Sequence, residues 1–121
     1  MTTPIHRVKA DFFRALGHPA RVRILEALRE GERSVRDLQN ELALDSSGAS
    51  QHLLLLRRQG LLDSRKEGTS VYYRVKDPRT FQLLEVARQL LSAQFAETQA
   101  LLDGLAAPPT SSIVAPTERV S

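Results

Sequence analysis

Apolar residues return at helical spacing from the start of the chain. Ile5, Val8, Phe12, Phe13 and Leu16 share one side of a helix that Gly17 ends. Pro19 opens a second helix, because its fixed φ suits a first turn and the N–H it lacks would have no partner there. Ile24, Leu25 and Leu28 form the apolar face of that helix, and Gly31 stops it. Ser34 begins a third helix, with Asp37 in a capping-box-like position and Val35, Leu38 and Leu42 turned inward. Leu44-Asp45-Ser46-Ser47 reads as a turn plus N-cap, and the fourth helix spans 47–59 before Gly60. On it Leu53 and Leu56 are core positions. Leu54 and Leu55 cannot both share their face, so one of them packs under the next element or on a neighbouring helix.

The period then shortens to two. Residues 61–66 and 70–75 read as strands around Glu67-Gly68-Thr69, and Val71-Tyr72-Tyr73 has the β-branched and aromatic character of a strand. Asp77-Pro78 closes this hairpin, and a last helix runs over 79–102. From Gly104 onward the chain is rich in Pro, Ser and Thr and offers little to bury. The expected organisation is a folded domain over 1–103 and a disordered tail over 104–121. The expected fold is mainly α with a small β-hairpin: four helices, a two-stranded wing and a last helix, the order of a winged helix-turn-helix.

Two short helices joined by a tight turn and followed by a wing make a DNA-reading unit. The second helix of such a pair enters the major groove with its N-terminal residues at base edges. Here those residues are Ser46, Ser47, Ser50 and Gln51, with Gly48 and Ala49 keeping the helix slim. Serine hydroxyls bond bases or phosphate, and glutamine can pair bidentately with adenine. His52 follows on the same helix as a supporting or phosphate-touching residue. Charge agrees with this placement. The chain of 121 residues carries a formal net charge of +3 at pH 7. Arg57, Arg58, Arg65, Lys66, Arg74 and Lys76 cluster around the hairpin against Asp63 and Glu67. Arg57, Arg65 and Lys66, with Thr69 and Ser70 at the wing tip, are assigned to DNA contact.

The terminal helices point to self-association. Leu84, Ala87, Leu91 and Phe95 form a stripe on the last helix, with Leu83, Val86 and Leu90 beside it. That width exceeds what one small core covers. With Val8, Phe12 and Phe13 of the first helix, these residues are expected to form a symmetric homodimer interface. A dimer would place two reading helices on successive half-sites of double-stranded operator DNA.

Other function classes find little support. The chain has no cysteine, which removes disulfides, thiolate metal sites and thiol catalysis. Neither a GxxxxGK[ST] phosphate loop nor an HExxH pair occurs, so an enzyme is not expected. MTTPIHRVKADFF does not read as a signal peptide, so none is expected, and no run approaches the roughly 20 apolar residues that span a bilayer. A cytoplasmic protein is expected, with no membrane partner.

Taken together, the motifs resemble the ArsR/SmtB family of bacterial regulators over about residues 8–103. Ala15-Leu16-Gly17-His18-Pro19-Ala20-Arg21-Val22-Arg23-Ile24-Leu25 is similar to the family's second helix. Ser50-Gln51-His52-Leu53 and Gly60-Leu61-Leu62 resemble its reading helix, and Glu67-Gly68 with Val71-Tyr72-Tyr73-Arg74 its wing. The resemblance implies a dimeric winged helix, operator binding, and in many members an effector that weakens it. It also implies two metal sites that this chain lacks. A Cys-Val-Cys-Asp-Leu pattern is replaced by Ser34-Val35-Arg36-Asp37-Leu38. The ligand positions of the last helix fall on Asp77, Arg79, Leu90 and Ala93, of which only Asp77 could ligate.

Three histidines remain. His18 is expected in a capping role at a helix junction, and His52 in support of the reading helix. His6, near Asp11, is the weak candidate for a divalent ion such as Ni or Zn; no cofactor is otherwise expected. The resulting expectation is a sequence-specific transcriptional regulator. The alternative is a winged-helix interaction module or co-regulator whose sensing lies in a second regulatory protein.

Overall fold

The computed structural model describes residues 3–106. Of these, the residues up to Phe81 form one compact unit and those from Gln82 to Ala106 belong to a second. The elements are α1 (Ile5–Leu16), α2 (Pro19–Ala27), a 3-10 turn (Leu28–Glu30), β1 (Arg33–Ser34), α3 (Val35–Leu42), α4 (Ser46–Arg58), β2 (Leu62–Glu67), β3 (Ser70–Val75) and α5 (Arg79–Ala106).

The core of the first unit is aliphatic. Ile24, Leu25, Leu38, Leu53, Leu56 and Leu62 are its largest fully buried side chains, drawn from α2, α3, α4 and β2. Ala49, Leu53 and Leu56 recur at the spacing that keeps one face of α4 inward. Leu55 is half-buried and Leu54 exposed, so the helix splits its four leucines as its period demands. On α1 only Ala15 is buried, while Ile5, Val8 and Phe13 are exposed. Phe12 is half-buried and meets Phe13 edge-to-face at 5.6 Å.

The sheet has three strands rather than the expected two. β1 pairs antiparallel with β3 (Arg33↔Tyr73, Ser34↔Tyr72), giving the order β1-β3-β2. Two residues are too short to leave a period-two signal. Ser34 serves twice, as a strand residue and as the N-cap whose hydroxyl accepts from the Asp37 amide at 3.0 Å. β2 and β3 pair from Leu62↔Val75 to Glu67↔Ser70, and Gly68 at the tip takes φ +64°. That left-handed value suits glycine, which has no Cβ to clash.

The helix pair itself turns on an unexpected residue. α3 ends at Ala43 in the left-handed conformation (φ 54°), and the Leu44 amide closes back on the Gln39 carbonyl. Asp45 then caps α4, so that helix begins at Ser46 and ends at Arg58.

In the second unit α5 continues to Ala106, past the boundary drawn at residue 103. Residues 104–106 are therefore helix rather than tail, and the expected tail from 107 on lies outside the described residues. Val86, Leu90, Leu91, Phe95, Leu101 and Leu102 are each at least half exposed on this helix. Leu84 is half-buried and Ala87 exposed. Among the described residues no helix is long and apolar enough to cross a membrane.

Candidate nucleic-acid interface

The first turn of α4 presents its outer face because its inner face is committed to the core. Ser46, Ser47, Ser50 and Gln51 are exposed, while Ala49 and Leu53 are buried. The Asp45 carboxylate anchors this turn, accepting from the Gly48 amide at 3.1 Å and from the Ser47 hydroxyl at 3.0 Å. Those bonds, the amide's first, hold the Asp45 carboxyl below its ordinary range. A Cβ at Gly48 would lie 2.6 Å from Asp45 Oδ1, so the carboxylate would have to shift to admit one. Its small size thus makes room for the cap, a more specific reason than slimness alone. The Ser47 hydroxyl donates to this cap while the residue stays exposed.

An open cleft of about 510 Å³ separates this turn from the wing tip. Ser46 and Ser50 of α4 line one side, and Thr69, Ser70 and Val71 of the wing another. Four of the predicted contact residues therefore meet around one space. α3 closes it with Arg36 and Gln39, which the sequence reading did not assign to the site. Their signal was partial: Arg36 falls away from the Leu38 and Leu42 face and is exposed, while Gln39 sits at the edge of that face and is half-buried.

The basic residues divide into engaged and available groups. Arg65 is engaged: Nε and Nη2 donate to the Glu32 carboxylate at 2.8 and 2.7 Å, and Nη1 donates to Glu67 at 2.6 Å. Its guanidinium lies 4.6 Å from the Tyr72 ring centroid. Three of its five N–H groups thus go to these two carboxylates, so the expected phosphate contact of Arg65 would compete with Glu32 and Glu67. Arg57 donates to the Ser64 hydroxyl at 3.3 Å, and Arg74 pairs with Asp63 at 3.1 Å. Lys66 is exposed and enters no ion pair among the described residues.

His52 is also placed differently from a groove residue. It is half-buried, with its ring centroid 4.4 Å from that of His18 and Nδ1 3.3 Å from Arg21 Nη1. Arginine can only donate, so Nδ1 of His52 accepts. Burial first, then the His18 and Arg21 charges, push the His52 pKa down. His18 caps α2, as expected, by accepting the Ala20 amide at 3.0 Å. His52 is thus a support seated on α2.

The metal candidates are not assembled. Asp11 is held by Arg14 at 2.6 Å, and His6 stands exposed on α1. The Asp77 carboxylate binds the Arg79 side chain and amide, which hold it down to about 2. Among the described residues no group of three or more His, Asp or Glu is placed to hold a metal ion.

Residues 18–64, which carry α2 through the start of the wing, match the family described as bacterial regulatory protein, arsR family. The HTH-type transcriptional regulator Rv0081 of Mycobacterium tuberculosis is 42% identical over 105 residues, 86% of this chain and 92% of its own length. The chain belongs to the arsR family of bacterial regulatory proteins. The crystal structure of Rv0081 superposes with a TM-score of 0.74 at 41% identity, covering 80% of this chain and 98% of that one. A further ArsR-family relative is the SmtB repressor homologue of Synechocystis, 39% identical over 67% of this chain and 62% of its own. The Mycobacterium bovis winged helix-turn-helix domain Mb0332, solved as a homodimer, aligns with a TM-score of 0.67 at 26% identity. That alignment covers 76% of this chain and 91% of Mb0332. This ArsR-family chain is therefore a winged helix-turn-helix transcriptional regulator, with α3 and α4 as the helix pair and β2–β3 as the wing.

Proposed function

We propose that this regulator binds double-stranded operator DNA as a homodimer. Ser46, Ser50 and Gln51 meet base edges in the major groove, while Lys66, Thr69, Ser70 and Arg36 contact phosphate around the cleft. The single observation carrying this reading is that cleft: its polar walls converge from the start of α4, the wing tip and α3. Hydroxyls and one amide suit base and phosphate oxygens, and the unpaired Lys66 supplies long-range attraction.

The homodimer rests on α1 and α5. Exposed Val8 and Phe13 on one, and exposed Leu91 and Phe95 on the other, leave apolar surface that a second copy would cover. Mb0332 sets the precedent for such an assembly in a similar winged helix. The chain acts by binding rather than catalysis, in the cytoplasm where DNA is reached, and its trigger is not either of the two metal sites of its relatives. Titration of the chain against its own upstream DNA, at several salt concentrations, tests this reading. Sequence-selective and salt-sensitive binding is expected.

A further inference from the structure

Glu32 lies just before β1, Arg65 on β2 and Tyr72 on the strand between them, so one contact set spans the whole sheet. Arg65 and Tyr72 are direct cross-strand partners, and the guanidinium sits over the Tyr72 ring. Glu32 takes it in a two-toothed pair at 2.7 and 2.8 Å, the geometry that best satisfies a guanidinium. Glu67 takes the remaining terminal nitrogen. Arg65 remains half exposed, so it is held at the surface and not buried. Its neighbour Lys66 pairs across with Val71, a residue lining the cleft, and alternation along the strand puts Lys66 and Arg65 on opposite faces. The wing thus carries the available Lys66 on the cleft face and two ion-paired cations, Arg65 and Arg74, on the other.

We propose that Glu32, assisted by Glu67, is a specificity-setting residue that withholds Arg65 from DNA phosphate. The inference rests on the DNA-binding reading above. Sequence-independent binding grows with the number of phosphates a protein neutralises, each contributing about 0.9 to the slope of log K against log salt. A second free arginine at the wing would strengthen binding to every duplex, operator or not. Holding Arg65 between two carboxylates lowers that background and leaves discrimination to the α4 side chains. The hydrogen bonds from Arg65 lower the Glu32 pKa, so the carboxylate is ionised across the neutral range. The Arg65–Glu32 pair adds to the β1–β3 ladder in tying the wing to this segment, so Glu32 is a positioning residue and needs no contact with DNA itself.

The test measures binding of an operator duplex and a scrambled duplex across a salt series. For Glu32→Gln/Glu67→Gln, the slope on scrambled DNA should steepen by about 0.9 for each wing that engages. The ratio of operator to scrambled affinity should fall. Adding Arg65→Gln should return the slope to that of the parent chain. Glu32→Gln alone, which keeps Glu67 and disturbs the wing less, should steepen it by a smaller amount. No steepening in the double variant would overturn the proposal. A triple variant as steep as the double would also overturn it, because the gain would then come from the lost carboxylates. If the parent chain shows no salt-dependent binding, the DNA-binding reading falls and takes this inference with it.

Discussion

Arg21 Nη1 donates to His52 Nδ1 at 3.3 Å, joining α2 to the reading helix. The same guanidinium donates to the Ala15 carbonyl at 2.6 Å and the Arg14 carbonyl at 3.1 Å, where α1 ends. One side chain on α2 therefore ties together the helix assigned to the dimer and the helix assigned to DNA. The bond requires neutral His52, because a protonated imidazole has no lone pair to offer.

This makes stability pH-dependent with a definite sign. The His52 pKa is depressed in the folded chain by burial and by the His18 and Arg21 charges, with Asp45 alone acting the other way. The unfolded chain then binds more protons in acid, so stability rises with pH. Full stability is expected above the ordinary histidine value of about 6.5. It should be lost progressively as pH falls from there through the lowered folded value. Thermal melting of the parent and His52→Gln between pH 5 and 8 checks this: the variant should lose part of the acid-side slope.

Gly48→Ala should weaken the cap of α4. The new Cβ would displace the Asp45 carboxylate it meets at 2.6 Å, and losing an N-cap costs about 1 kcal/mol. Chemical denaturation should show that loss, and operator affinity should fall with it. Asp45→Ala should reproduce both effects, and Gly48→Ala in that background should then add little.

Leu91→Glu with Phe95→Glu should separate the homodimer. Both residues are more than three-fifths exposed on α5, so the single chain tolerates the change, whereas a shared apolar face does not. Sedimentation should move from two chains to one, and operator affinity should drop because one reading helix cannot reach two half-sites.

The helices were legible because their apolar spacing and their Gly and Pro boundaries agree, as at Pro19 and Gly31. The α4 face was legible for the same reason: once Leu53 and Leu56 are inward, Gln51 must be outward and Ser50 falls at the edge of the buried face. What escaped the sequence were contacts set by tertiary geometry. Ala43 stops α3 in a conformation that alanine rarely adopts, and β1 is two residues long. Arg65 looks like Lys66 in a list of basic residues, yet Glu32, 33 positions earlier, takes two of its hydrogen bonds. His52 sits on the reading helix but turns to α2, which helical spacing alone cannot specify.

The central claim is that Ser50 and Gln51 of α4 read DNA sequence. Fluorescence anisotropy with a labelled upstream fragment and its scrambled counterpart measures this directly. Ser50→Ala/Gln51→Ala should reduce affinity for the upstream fragment about tenfold or more, since one bidentate base contact is worth about 1–3 kcal/mol. Affinity for scrambled DNA should stay unchanged, while Lys66→Ala should lower both and flatten the salt slope. Equal affinity of the parent chain for the two duplexes, or no loss in the double alanine variant, would contradict the account.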